Sequence, residues 1–282
     1  RYIAALAAVS ACVGDFASAA SWQRKAIELL TDENKSCWQG DYESRLRLYI
    51  SGQPYKHGYS WSFSTGRMLG WWRFDEESGS AAADASGNGN DGMVTGSPQW
   101  QSSAGRVGRA LLLRNGSVQI SEEAPFDVTD AITISVWTRV ETLDRWWQAL
   151  VTKGDSSWRL HRSGDADRLE FACDGPQSSG GGAASAKGNR VISDGRWHHI
   201  VATYDGSRIA LYFDGELDAY CPASGRMQTN GHPVCIGDNA EQPGRYWDGW
   251  IDDVRIYSYA LGEAEIAELY KAGQESVAPS DR

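Results

Sequence analysis

The sequence predicts a mainly β chain: a two-sheet antiparallel jelly-roll sandwich, preceded by an α-helical hairpin and closed by a short C-terminal helix. Three observations point there. The 282 residues hold 31 Gly against 8 Pro, with 13 Trp and 12 Tyr, a mix of tight turns and aromatic bulk that suits a sandwich better than a bundle. Asp-Gly, a strong hairpin signal, begins at residues 91, 174, 194, 205, 214 and 248. From Met68 onward roughly a dozen short apolar runs follow one another without interleaved helices.

Residues 1–52 differ in composition, with Gly only at 14, 40 and 52. Small and apolar residues recur there at helical spacing (Leu6, Ala7, Cys12; Ala19, Trp22, Ala26, Leu29), split by Gly14-Asp15, which predicts two short helices joined by a turn. Tyr42, Leu46 and Tyr49 or Ile50 share a face of a third helix, stopped by Gly52 and Pro54. Residues 53–66 lack either period and form a linker bearing Tyr59, Trp61 and Phe63. The sandwich is expected over 67–274, with a tail at 275–282.

The clearest strands are a meander over 197–219, where WHHIVATY, RIALYF and ELDA are separated by Asp205-Gly206 and Asp214-Gly215. Others are expected within 107–120, 131–140, 149–153, 158–162, 169–173, 234–237 and 250–257. The closing helix starts after Gly262, with acids in its first turn and Ile266 and Leu269 inward, and ends at Gly273.

Charge and cysteine content narrow the function. The 27 Lys and Arg against 37 Asp and Glu give a net charge of −10, which repels nucleic acid, and no Lys/Arg block exceeds two residues. No apolar run approaches the roughly 18 residues of a membrane span, so no membrane insertion is expected. Cys12, Cys37, Cys173, Cys221 and Cys235 contain no C-x-x-C pair, which argues against zinc. Cys221 and Cys235 flank a loop and bridge only in an oxidising compartment; otherwise they remain free thiols. The start at Arg1 without Met, and an apolar stretch at 4–8 too short for a signal peptide, read as a fragment of a longer protein.

Small residues at Ala7, Ala19 and Ala26, with Gly14 at the turn, resemble one tetratricopeptide repeat, although Gln23 and Thr31 replace its large aromatic and closing Pro. The resemblance implies the last unit of a helical array, capped by the third helix. A helical hairpin packing on the following domain is the alternative.

Farther on, Gly70-Trp71-Trp72-Arg73-Phe74-Asp75-Glu76, the loop from Asp84 to Gly92, Gly108-Arg109-Ala110-Leu111, Ile132 to Trp137, Trp197 to Gly206, Tyr212-Phe213-Asp214-Gly215 and Gly249 to Tyr257 occur in an order that resembles a laminin G-like jelly-roll of the concanavalin A-like lectin/glucanase superfamily. The resemblance covers about 67 to 272 of the chain.

Strand alternation puts Asp252 on one face with Trp250, Val254 and Ile256, an acid among apolar neighbours that needs a cation or a donor. The superfamily's glucanases hold a structural calcium on a similar Asp. The resemblance therefore implies Ca²⁺ at Asp252, with Asp75, Glu76, Asp84, Asn88 and Asn90 near it; a buried pair with an Arg is the alternative. Asp84, Ser86, Asn88 and Gly89 also occupy positions 1, 3, 5 and 6 of a calcium-loop spacing, but Thr95 stands where the bidentate Glu belongs, so an EF-hand is rejected. A metal-free Asn/Gly turn fits this loop equally.

No catalytic residue is identified. Glu216-Leu217-Asp218-Ala219-Tyr220-Cys221 begins like the glucanase Glu-x-Asp-x-x-Glu strand but ends in Cys, and His198 and His199 point to opposite faces. Candidate ligand-binding residues are Trp147, next to Trp146 and Arg145, and Arg245, Tyr246 and Trp247 in the loop before the last strand, with a core role the alternative for either group. The expected function is a non-catalytic, calcium-stabilised module binding carbohydrate or a protein, extracellular, periplasmic or at the cell surface. Two alternatives are a scaffold in which the repeats bind the partner, and a degenerate glycoside hydrolase domain.

Overall fold

Two Asp-Gly turns show how local sequence builds the sandwich. Asp214 and Gly215 both take positive φ, 53° and 80°, the conformation whose twist matches a two-residue hairpin. Asp205 Oδ1 accepts the amides of Ser207 and Arg208, closing the preceding turn. A computed structural model describes residues 15–28, 46–47, 49–51, 67–101, 105–178 and 183–275. Chain contacts separate two compact units, 1–65 and 66–282.

In the first unit, helix α1 (Phe16–Glu28) begins where Asp15 Oδ1 accepts the Ser18 amide at 3.0 Å. Its buried face is Ala19, Ala20, Gln23 and Ala26, and Ala19 and Ala20 cluster with Tyr49. Trp22, expected on that face, is 41% exposed, because Ala19, Gln23 and Ala26 at i, i+4 and i+7 set the stripe one residue away. Residues 46–47 and 49–50 are helical as expected. The first helix of the hairpin lies outside the described residues, so a tetratricopeptide repeat is not shown.

The second unit holds sixteen strands among the described residues. These are β1 (Met68–Trp72), β2 (Ala81–Ala82), β3 (Gly92–Thr95), β4 (Gln99–Gln101), β5 (Ala110–Leu113), β6 (Ser117–Ile120), β7 (Ile132–Arg139), β8 (Ala149–Thr152), β9 (Trp158–Arg162), β10 (Leu169–Ser178), β11 (Ala183–Lys187), β12 (Trp197–Tyr204), β13 (Arg208–Phe213), β14 (Glu216–Ser224), β15 (Val234–Ile236) and β16 (Gly249–Tyr257). Sheet I runs β4-β5-β16-β7-β12-β13-β14, with β1 also on β16; sheet II runs β2-β3-β6-β15-β8-β9-β10-β11. Residues 177–178 of β10 pair with 223–224 of β14 and join the two at a corner.

Between the sheets lies one core, with Trp72, Phe126, Trp158, Phe171, Tyr204 and Trp247 among its buried aromatics. A smaller cluster (Val201, Ala210, Tyr212, Tyr257, Leu261, Ile266) packs helix α2 (Glu263–Glu275) on the outer face of sheet I. Gly273 makes that approach possible, since a Cβ there would stand 2.5 Å from the Trp137 ring. The loops 141–148 and 237–247 are tied together beside β8, where the Ala149 amide donates to Arg245 O and Gln148 to Tyr246 O, and the candidate site lies there.

Candidate functional site

Strand β9 sets the floor of the site. Trp158 and Leu160 enter the core, so alternation turns Arg159 and His161 outward, and His161 pairs across the sheet with Glu170. The loop between β7 and β8 covers His161 with the Trp147 indole, the ring centroids 5.4 Å apart. Trp147 holds a φ of +58°, a left-handed conformation that costs a bulky residue about 1–2 kcal/mol. Its surroundings enforce it: the Trp147 amide donates to Gly164 O at 3.0 Å, and Arg162 donates to Arg145 O at 2.6 Å and to Asp167 at 3.1 Å. Trp146 beside it is 64% exposed and Trp147 37%.

The loop before β16 forms the adjoining wall. Arg245 Nη1 donates to both Asp155 oxygens, at 2.9 and 3.0 Å, and Asn239 adds a bond to the same carboxylate. Gln148 ties the walls together, accepting from the Arg145 amide and donating to Tyr246 O, while the Arg145 guanidinium lies 5.7 Å above the Tyr246 ring. Trp147, Arg245 and Tyr246 are thus brought together around one surface. Trp247 is not part of it: it is fully buried in the inter-sheet core, with Nε1 donating to Thr138, because the residue after Tyr246 turns inward as β16 begins. Sequence reasoning missed His161, Gln148, Asp155 and Asn239. The outward phase of His161 in β9 was a legible signal; the long-range ties were not.

The residues expected around calcium lie elsewhere, just after β1, in the 84–92 loop and on β16, and Asp75 and Asp252 accept the amides of Arg109 and Val107. Both Asp84 oxygens accept backbone amides, Oδ1 from Trp71 and Ser86 and Oδ2 from Asn90. Burial would raise this carboxyl, yet the bonds from Ser86, Trp71 and Asn90 hold it below its ordinary value. Asn88 and Asn90 donate to Leu69 O, and Asn88 also to Met68 O, so the 84–92 loop is a clasp on β1 whose acceptors already have protein partners. Asp75 accepts from the Arg109 amide and pairs with Arg73 at 2.8 Å; Glu76 accepts from the Ala83 amide, leaving Oε2 buried and unpartnered. Ca²⁺ wants about six to eight oxygens. Among the described residues no three acidic, His or Cys side chains stand together to hold an ion.

Asp252 itself differs from its expected placement. A bulge between Asp252 and Arg255, with Asp253 at φ +48°, breaks the alternation, so Ile251, Val254 and Ile256 enter the core while Asp252 lies opposite Trp137 across the ladder to β7. Oδ2 accepts the Val107 amide at 2.7 Å and Oδ1 is buried without a partner. Burial first, then the neighbouring Asp253, push this carboxyl up to about 8 against the opposing Val107 bond. The folded protein therefore keeps this proton where the unfolded chain loses it. The contribution of Asp252 to stability is complete below about pH 4 and is lost as pH rises through about 8. Asp252→Asn is expected to flatten that slope, read as a smaller fall in Tm between about pH 5 and about pH 8.5 in chelator than the wild type shows. Identical slopes in both proteins would contradict the assignment.

In the half-motif, Glu216 pairs with Arg190 at 2.6 Å, and Asp218 accepts the Asn189 amide. Cys173, Cys221 and Cys235 are free thiols. Among the described residues no helix is long and apolar enough to cross a membrane.

A laminin G family model, described as the concanavalin A-like lectin/glucanases superfamily, matches residues 113–267, more than half of the chain. The chain belongs to that superfamily. It matches no curated protein in sequence. Solved structures of similar fold are also found. The binding domain of Paraclostridial Mosquitocidal Protein 1 is similar at 19% identity and TM-score 0.58, over 73% of this chain and 52% of that one. Domain 4 of an extracellular arabinanase from Geobacillus stearothermophilus, in complex with arabinotriose, is similar at 18% identity and TM-score 0.57, over 73% of this chain and 98% of that domain. The binding domain of Botulinum Neurotoxin DC in complex with SialylT gives 16% identity and TM-score 0.55, over 73% and 52%. The chain thus spans about half the length of the toxin binding domains. At these identities the likeness shows the fold alone, and the neighbours are carbohydrate- or receptor-binding domains.

Proposed function

We propose that the sandwich is a non-catalytic carbohydrate-binding module that presents Trp147, with Trp146, Arg245 and Tyr246 around it, to an oligosaccharide on the outer face of sheet II. The observation that carries this reading is Trp147: a half-exposed indole locked at φ +58° over a buried His. Backbone strain held in place by a surrounding network clusters at binding sites, and Trp147 is the exposed aromatic among the strained positions. A flat, half-exposed indole offers the apolar face on which a sugar ring stacks. The arabinotriose-bound arabinanase domain supports the ligand class, and its extracellular origin supports action outside the cytoplasm.

A glycan array that includes arabinotriose, xylotriose, cellotriose and trigalacturonate tests the reading. Binding is expected, and Trp147→Ala weakens it about thirtyfold. No binding of the wild type to any glycan, or equal binding by the variant, would overturn the reading.

A further inference from the structure

We propose a second binding surface, on the outer face of sheet I, where Trp250, Arg139 and Trp197 stand in one row and take an oligosaccharide that carries carboxylates, a uronate chain; it is separate from the Trp147 surface and does not depend on it. Strand register fixes the row: Trp250 of β16 and Trp197 of β12 both pair with Arg139 of β7. Directly paired residues share a face. Ile134 and Val136 enter the core while Trp137 packs under Gly273 of helix α2, so Arg139 follows Trp137 on the outer face. The Arg139 side chain is 37% exposed, and both tryptophans are half-buried.

The row is rich in donors and poor in acceptors. Among the described residues neither indole N–H has a hydrogen-bond partner, and neither indole stacks on another ring or on a guanidinium. Arg139 reaches one acid, Glu141 at 3.4 Å, whose side chain is 75% exposed, and its Nε has no partner. A pair so exposed is weak. Arg106 lies over the Trp137 ring at 4.9 Å and makes no ion pair among the described residues. Other carboxylates nearby are engaged: Asp252, fully buried across the ladder from Trp137, gives Oδ2 to the Val107 amide, Asp194 pairs with His198, and Asp248 with Arg114. Two guanidinium groups sharing one weakly held acid stand out in a chain of net charge −10.

This chemistry selects the ligand. Guanidinium and indole N–H groups only donate, so the ligand must bring acceptors, and a poorly matched guanidinium calls for a carboxylate, which it meets with two parallel bonds. The indoles add apolar area on either side for sugar rings. Trp250 and Trp197 flank β7 at two strand spacings, roughly 10 Å, the separation of the outer rings of an extended trisaccharide. The middle ring then lies over Arg139 with its carboxylate within reach of the guanidinium.

Isothermal titration of β-1,4-linked triglucuronate, and of cellotriose, which has hydroxymethyl groups in place of the carboxylates, into wild type, Arg139→Gln, Glu141→Gln and Trp147→Ala tests this. Wild type is expected to bind triglucuronate, and Arg139→Gln to bind it about tenfold more weakly with its cellotriose affinity unchanged. Glu141→Gln, at an exposed position, is expected to bind triglucuronate about two- to threefold more tightly than wild type because the competing carboxylate is gone. Trp147→Ala is expected to lose cellotriose and keep triglucuronate. No triglucuronate binding by wild type, equal binding by Arg139→Gln, or no gain in Glu141→Gln overturns the inference. Loss of triglucuronate in Trp147→Ala overturns it too, by placing the acid on the other surface, as does triaspartate bound as tightly as triglucuronate. A wild type that binds triglucuronate but no neutral trisaccharide supports this inference and counts against the Trp147 reading.

Discussion

Replacing Lys153 with Met is expected to destabilise the sandwich by about 3–5 kcal/mol, a fall in Tm of roughly 6–20 °C for a domain of this size. Lys153 is fully buried. Its ammonium is held by Glu123 at 3.0 Å, Asp127 at 2.8 Å and Asn230 O at 2.6 Å, and Asn230 returns a bond to Lys153 O. Three segments remote in sequence therefore meet on one cation: the short turn at 123–127, the β8–β9 hairpin and the loop before β15. Methionine keeps the aliphatic stem and removes only the charge, so the loss reports two carboxylates left without their cation. Urea unfolding of Lys153→Met and of the triple variant with Glu123→Gln and Asp127→Asn separates pairing from packing. The triple variant is expected to be the more stable of the two; equal losses would show that packing of the stem dominates.

The second large effect is on binding. Trp147→Ala is expected to weaken oligosaccharide binding by about thirtyfold, on the order of 2 kcal/mol, the size typical of a central aromatic contact. Trp147→Gly should lose binding to the same extent. It should nevertheless be more stable than Trp147→Ala by about 1 kcal/mol, because only glycine adopts φ +58° without cost. Thermal melts of the two variants beside their titrations check both statements. Alanine as stable as glycine would mean that the loop relaxes on loss of the indole and that the strain is not held by the Gly164 and Arg162 ties.

Much of the sandwich is legible in the sequence because its signals are local. Asp-Gly pairs specify φ > 0 turns wherever they stand, and the period of 2 in WHHIVATY and RIALYF places successive side chains on opposite faces, as seen where His198 packs on Phe213 and His199 on Trp137. The same rule fails at Asp252, where one residue at positive φ shifts the phase and nothing in WIDDVRIY marks it. Trp147 and Trp247 look alike in sequence, each an aromatic in a polar loop. Only long-range bonds, Trp147 to Gly164 and Trp247 to Thr138, send one outward and one into the core. The acidic loop 84–92 has calcium-like spacing for a related reason: Asp and Asn at alternate positions suit backbone amides as well as they suit a metal.

The most direct measurement of the central claim is a two-dimensional ¹H–¹⁵N spectrum of the indole groups during titration with the oligosaccharide that binds best among arabinotriose, xylotriose and cellotriose. The Trp147 indole, assigned by its disappearance in Trp147→Phe, is predicted to shift with saturation while the core indole of Trp247 stays in place. Saturable binding with the Trp147 signal unmoved would contradict the account and place the ligand elsewhere on the sandwich.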